Sequence, residues 1–200
     1  LEHLNKNEIE IHDGETVSLN ACAGVAIARV SYPFSKTYQL AEDLCNTAKR
    51  KIAMDYPDLD KDFSLIDWHI EQGDLMGTIS EIREEHYKTL DDKNLCMRPL
   101  YLNNDDIWTN YSNFKIAYEN ITNREIYGKK IARNKIKELR EVLKKGEKDT
   151  QVFLKSNNIE NYFSRFENTI GDYCFYNSQC MYYDAIEAID LFIELDKKEG

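Results

Sequence analysis

Residues 19–70 read LNACAGVAIARVSYPFSKTYQLAEDLCNTAKRKIAMDYPDLDKDFSLIDWHI. This stretch decides the fold, because its hydrophobic period changes twice. Residues 19–30 form an apolar run of small side chains, which predicts a strand; Ala21, Ala23, Gly24 and Ala28 leave room for a helix or ligand close to the backbone. Tyr32 and Pro33 make a corner. From Phe34 to Met54, the residues Tyr38, Ala41, Leu44, Cys45, Ala48 and Ile52 recur at spacings of three and four, one face of an amphipathic helix. Ser35 is the expected N-cap, Lys49, Arg50 and Lys51 suit the negative end of the helix dipole, and Pro57 prevents continuation. Residues 63–70 return to period two, with Leu65, Asp67 and His69 on one face and Ile66, Trp68 and Ile70 on the other. The reading is strand, helix, strand.

Downstream, residues 73–78 read as a loop and 80–87 as a short helix. Residues 91–94 form a turn, and 95–102 a strand kept at an edge by Pro99. Beyond residue 103 helical periodicity dominates. Asn103, Asn104, Asp105 and Asp106 make a cap cluster for a helix to residue 120. Thr122 and Glu125 form a capping box for a second helix, which runs to Lys145 and stops at Gly146. Further helices are expected over 149–156, 159–168 and 180–197, the last burying Ala185, Ala188, Ile189, Phe192 and Ile193. The aromatic cluster Tyr173, Phe175, Tyr176, Tyr182 and Tyr183, with Cys174 and Met181, reads as core between helices. Upstream, residues 1–10 read as the end of a helix that starts before Leu1, so an N-terminal truncation is expected; Asp13-Gly14 is a turn signal. The expected fold class is α+β, with residues 1–102 forming an α/β part and 103–200 an all-α domain.

Composition sets the limits. At 200 residues, with 42% hydrophobic and 12% aromatic side chains, the chain is globular and large enough for a core. A net charge of -10 confines any nucleic-acid contact to a local basic patch. The five Cys form no CxxC and their number is odd, which points to reduced thiols and a cytoplasmic location. The four His stand at no zinc-ligand spacing from them. No apolar run reaches the roughly 20 residues a membrane helix needs, and no signal peptide is visible.

The ordered set ACAGVAIA, Pro33-Phe34, Ala48 to Lys51, and Asp67-Trp68-His69, continued by ISEIREEHY and MRPLY, resembles the second palm domain of the large subunit of type III CRISPR effector complexes. The close resemblance covers residues 19–102, and the helical remainder is compatible with that family's C-terminal helical region. It implies a partial ferredoxin-like palm, related to GGDEF-type nucleotidyl cyclases and polymerases and acting in antiviral defence. It also implies ATP with Mg2+ or Mn2+ as substrate and cofactors. The family's Gly-Gly-Asp-Asp hairpin is absent from these residues. Catalysis by the intact protein is therefore expected only with such a hairpin upstream, and this stretch alone is expected to be inactive. No catalytic or metal residue is assigned. Lys49 matches the family's Ala-Lys position and is the expected nucleotide-phosphate contact; a lysine suits phosphate as a compact point charge. A noncatalytic palm kept as a scaffold or interaction module is the alternative.

Three other features compete with simpler explanations. Asp67 and His69 share a strand face and would serve as an acid-base pair in a hydrolase, but with no third partner they read as structural polar residues. Asn103 to Asp106 echo the missing motif without its glycines and read as a cap. Residues 124–145 carry Arg124, Lys129, Lys130, Arg133, Lys135, Lys137, Arg140, Lys144 and Lys145. This basic helix is expected to meet RNA or a protein subunit, unless Glu125, Glu138 and Glu141 merely pair it.

Overall fold

The computed structural model describes residues 8–12, 15–57, 63–71, 77–163 and 174–192. It is an α+β architecture: a small mixed sheet followed by several helices. The described residues fall into two compact units, one within Leu1–Lys88 and Cys96–Phe114, the other within Thr89–Leu95 and Lys115–Gly200.

The first unit is built on β3 (Cys22–Ile27), α1 (Phe34–Asp55) and β4 (Leu65–Ile70). β3 and β4 pair in parallel, Cys22 opposite Leu65 through Ile27 opposite Ile70. The short β5 (Leu100–Tyr101) adds antiparallel to β4, giving the order β3-β4-β5. α1 lies tight on β3 because Gly24 has no side chain. A Cβ there would stand 2.1 Å from the Ala41 carbonyl oxygen and 2.5 Å from the Cys45 nitrogen. Beneath α1, Leu40 and Leu44 cluster with Ile79 and Ala26, and Ala48 clusters with Leu65 and Tyr101. Each buried leucine contributes on the order of 2 kcal/mol. Tyr56, Phe63 and Tyr101 close the lower end as an aromatic trio, with centroids 4.7 to 6.3 Å apart. On the opposite sheet face Trp68 meets Phe114 edge-on at 5.2 Å. α2 (Ile79–His86) starts with a capping box between Thr78 and Glu81.

Several expectations change. Residues 8–10 are not helical: β1 (Glu8–His12) pairs antiparallel with β2 (Glu15–Ser18). EIEIH alternates at period two with β-branched isoleucines, which favours a strand. Residues 1–7 and the Asp13-Gly14 turn lie outside the described residues. β3 and β4 are shorter than the apolar runs that contain them. Ser35 lies inside α1, whose N-cap is Pro33 without a side-chain bond. Of residues 95–102 only 100 and 101 join the ladder, next to the cis Arg98-Pro99 bond.

Asn103 to Asp106 cap no helix. The Asn103 carboxamide accepts from the Ser64 N–H at 2.9 Å and donates to Asn20, while Asn104 donates to the Tyr56 hydroxyl. Helix α3 (Tyr111–Thr122) begins later, where Asn110 Oδ1 accepts the Asn113 N–H at 2.8 Å. The 73–78 loop is described only from residue 77.

The second unit holds α4 (Arg133–Leu143), α5 (Glu147–Ser156), a 3-10 turn (Glu160–Tyr162) and α6 (Tyr183–Ala188). Ile136, Leu139, Leu143 and Leu154 are buried there with Tyr182, Tyr183, Ala185 and Ile186. The aromatic cluster is core among the described residues, as its composition suggests; Tyr173 lies outside them. The unit is not wholly helical. β6 (Phe175–Tyr176) and β7 (Gln179–Cys180) form a small hairpin whose turn, Asn177-Ser178, takes positive φ at both residues. Residues 164–168 and 193–197 of the expected helices lie outside the description. All five cysteines are free thiols, and burial pushes Cys180 up to about 12. Among the described residues no helix is long and apolar enough to cross a membrane.

The basic segment departs most from expectation. It is not one helix. Thr122 ends α3, its hydroxyl donating to the Tyr118 carbonyl at 2.7 Å, and residues 123–132 leave the helix before α4 starts. Tyr127 and Gly128 take positive φ, which no right-handed helix accommodates.

Candidate functional site

Lys49 stands on the exposed side of α1. Cys45, one turn earlier on the same flank, donates its thiol to the Cys22 carbonyl at 3.4 Å. The flank carrying Lys49 therefore lies toward β3, whose far side bears no strand among the described residues. The neighbouring cations are engaged. Arg50 donates to Thr47 Oγ1 at 3.1 Å, and Lys51 pairs with Asp55 at 3.0 Å and lies 5.6 Å from the Tyr101 ring centroid. Lys49 has neither hydrogen bond nor ion pair among the described residues.

Asp67 is not paired with His69. Its carboxylate, fully buried, takes a bidentate fork from Arg83 of α2 at 2.6 and 3.0 Å and also accepts the Trp68 N–H at 2.8 Å. That set occupies both oxygens. His69 lies buried one pleat further along the same face. Neither ring nitrogen makes a hydrogen bond among the described residues, and Nε2 is 3.6 Å from a Glu71 carboxylate oxygen. Burial, followed by the guanidinium charges of Arg98 and Arg83, lowers its pKa to about 4. At neutral pH His69 is an uncharged core side chain. The structural reading of this pair holds, and the hydrolase reading finds no support in its geometry. Sequence reasoning missed Arg83: the helical period shows a face but not the strand residue that face will meet.

A cleft of about 310 Å³ opens between the first turns of α1 and α2, beyond the C-terminal end of β4. Such a position, outside the carboxyl ends of parallel strands, is where open α/β sheets hold ligands. Lys36 and Asp43 come from α1, Glu71 follows β4, and Thr78 and Glu81 begin α2. One cation faces three carboxylates, so the cleft repels a polyphosphate. Lys49 lies more than three helical turns further along α1 than Lys36 and does not line it. No motif pointed to this cleft, because its residues come from three separate segments.

Among the described residues no group of three His, Cys, Asp or Glu side chains could hold a metal ion. Four of the nine basic side chains of the 124–145 segment are ion-paired among the described residues, two with carboxylates inside it and two with carboxylates outside it. Arg133 pairs with Asp190, Lys135 with Glu138 at 2.8 Å, Lys144 with Glu141 at 3.1 Å, and Arg140 with the buried Glu187 at 2.9 Å. Compared with known protein families and with curated proteins, the chain matches none.

Proposed function

We infer that the first unit is part of a palm of the kind found in type III CRISPR large subunits, in which Lys49 contacts the phosphates of ATP. The proposed fold is a partial ferredoxin-like palm, and the proposed setting is cytoplasmic antiviral defence. Catalysis by the intact protein would require acidic metal ligands beyond those described here. The observation that carries the reading is the contrast along one helical turn: Arg50 and Lys51 are held by protein partners, while Lys49 is exposed and uncommitted. An ammonium group with no internal partner suits a phosphate contact, since no existing ion pair must break first. The parallel β3–α1–β4 unit, with α1 seated on Gly24, is compatible with the same reading.

The test is ATP binding to the intact protein with Mg2+, measured by calorimetry. Lys49→Ala should weaken binding about tenfold, the loss expected for one charge-assisted contact, and Lys51→Ala should leave it unchanged. Equal affinities for wild type and Lys49→Ala would remove the site.

The scaffold reading is favoured by one observation of its own: the connection between α3 and α4 presents exposed, uncommitted basic groups around Tyr127. In that reading, RNA or a protein subunit binds the 124–145 segment. A stable RNA complex formed by a protein with no ATP affinity would select it.

A further inference from the structure

Within the 124–145 segment the geometry points to one element: we propose that the turn at Tyr127 is a stacking platform for single-stranded nucleic acid. The inference rests on the partner reading of this segment and not on Lys49.

The turn is built, not loose. The Ile126 N–H donates to the Lys129 carbonyl at 3.0 Å, and the Lys129 N–H returns to the Ile126 carbonyl at 3.1 Å. Between them Tyr127 and Gly128 have φ of 51° and 70°. Two central residues at positive φ are the signature of a type I′ hairpin turn, where Asn, Asp or Gly is preferred at the first position. A tyrosine there is out of place, because its Cβ crowds the backbone in that region. It gains nothing by packing: its relative exposure is 98%, and it makes no hydrogen bond or ring contact among the described residues. A strained aromatic that buries no surface in its own fold is a candidate for function.

The surroundings specify the partner. Lys129 and Lys130 follow the ring, are exposed, and have no ion pair among the described residues. Glu125 is the carboxylate of this stretch, and it stands before the turn. The base of the turn is fixed from below: the Tyr162 hydroxyl donates to the Lys129 carbonyl at 2.5 Å, and Arg124 donates to the Tyr162 carbonyl at 3.4 Å and to Asn120 Oδ1 at 3.3 Å. A rigid, projecting aromatic ring with two free ammonium groups beside it matches a base and its flanking phosphates. An acidic peptide would use the lysines but would have no need of a bare ring, so a nucleic-acid single strand fits better. The chemistry is shared by RNA and DNA.

Fluorescence anisotropy of the intact chain with a short labelled single-stranded RNA, and with the DNA of the same sequence, tests the proposal. Binding to either strand is expected, falling with added salt. Tyr127→Ala and Tyr127→Gly should each weaken it about tenfold, the loss of one stacked base. Tyr127→Gly removes the strained Cβ and should leave the melting temperature unchanged or raised, which separates lost stacking from lost structure. Tyr127→Trp should retain affinity and be quenched by the oligonucleotide. Replacing Lys129 and Lys130 by alanine should lower the salt slope by about two.

Wild-type affinity in both Tyr127→Ala and Tyr127→Gly overturns the platform. If reversing Lys135, Lys137, Lys144 and Lys145 then abolishes binding, the partner reading survives without it. Absence of binding by the wild-type chain to either strand overturns the platform and leaves the partner reading only its protein-subunit form. Binding of Tyr127 to a protein subunit, with no affinity for oligonucleotide, also overturns the proposal.

Discussion

Helix α1, within the β3–α1–β4 unit, and the basic segment 122–145 are of similar helical promise in sequence and of opposite outcome in structure. In the first, apolar spacing demanded burial, and the strands that α1 covers supplied it. In the second, charge at helical spacing demanded nothing from the rest of the chain, and the backbone turned sharply at Tyr127-Gly128. A buried face constrains a long stretch through every residue it touches, at on the order of 1–3 kcal/mol each. An exposed charged face constrains it through pairs worth only a few tenths. The same contrast separates the polar groups: Asp67 with Arg83 is a buried commitment, whereas Lys135 with Glu138 is a surface one.

That comparison is open to direct attack. The largest effect is expected from Asp67→Ala, which leaves Arg83 without its bidentate partner; urea denaturation should show a loss of about 3–5 kcal/mol. A cost below about 1 kcal/mol would put the pair in the same class as the surface ones. Next comes Gly24→Ala. The new methyl would collide with the backbone of α1 and not with a side chain that can move aside, so about 3 kcal/mol should be lost. A near-neutral result would mean that α1 does not sit on β3 as described.

Acid sharpens the comparison within the buried region. The folded pKa of His69, about 4, lies below the ordinary 6.5, so the unfolded chain takes up this proton first as pH falls. The stabilising contribution is full above about pH 6.5 and is lost progressively toward pH 4, with about 2 kcal/mol gone between pH 7 and pH 5. The difference in urea stability between those two pH values should shrink in His69→Gln. An undiminished difference would assign the acid sensitivity to other groups.

The smaller effects belong to the exposed region. Gly128→Ala meets no atom within 4 Å, so only its positive φ matters, and about 1 kcal/mol should be lost. Glu138→Ala should cost under about 0.5 kcal/mol. Gly128→Ala costing as much as Gly24→Ala would erase the distinction between a crowded glycine and a merely twisted one.

What was legible follows the same division. The strand–helix–strand order and most of the inward face of α1 could be read, because each depends on a period that burial enforces; Tyr38, expected on that face, is exposed, and Leu40, not expected there, is buried. The structural character of Asp67 followed from the lack of a third partner. The cap of α3 could not. The sequence pattern placed it in Asn103 to Asp106, but Ser64, distant in the chain, claims Asn103, and Asn110 caps the helix instead. Nor could the cleft be read, since Lys36, Glu71 and Glu81 meet only after α1 and α2 have packed. Residues 8–10 were mistaken for helix because a charged, isoleucine-bearing decapeptide fits either period over so short a span. Lys49 was chosen by resemblance, and the structure adds only that it is exposed and uncommitted.

The cleft and Lys49 offer ATP two ends of the same helix, and the charges favour the second. An acyl-phosphate derivative of ATP acylates the lysine nearest its phosphates, and peptide mass spectrometry of the labelled intact protein identifies that lysine. Labelling at Lys49, suppressed by excess ATP, is the predicted result. Labelling at Lys36 with Lys49 untouched would place the phosphates in the acidic cleft and contradict the account.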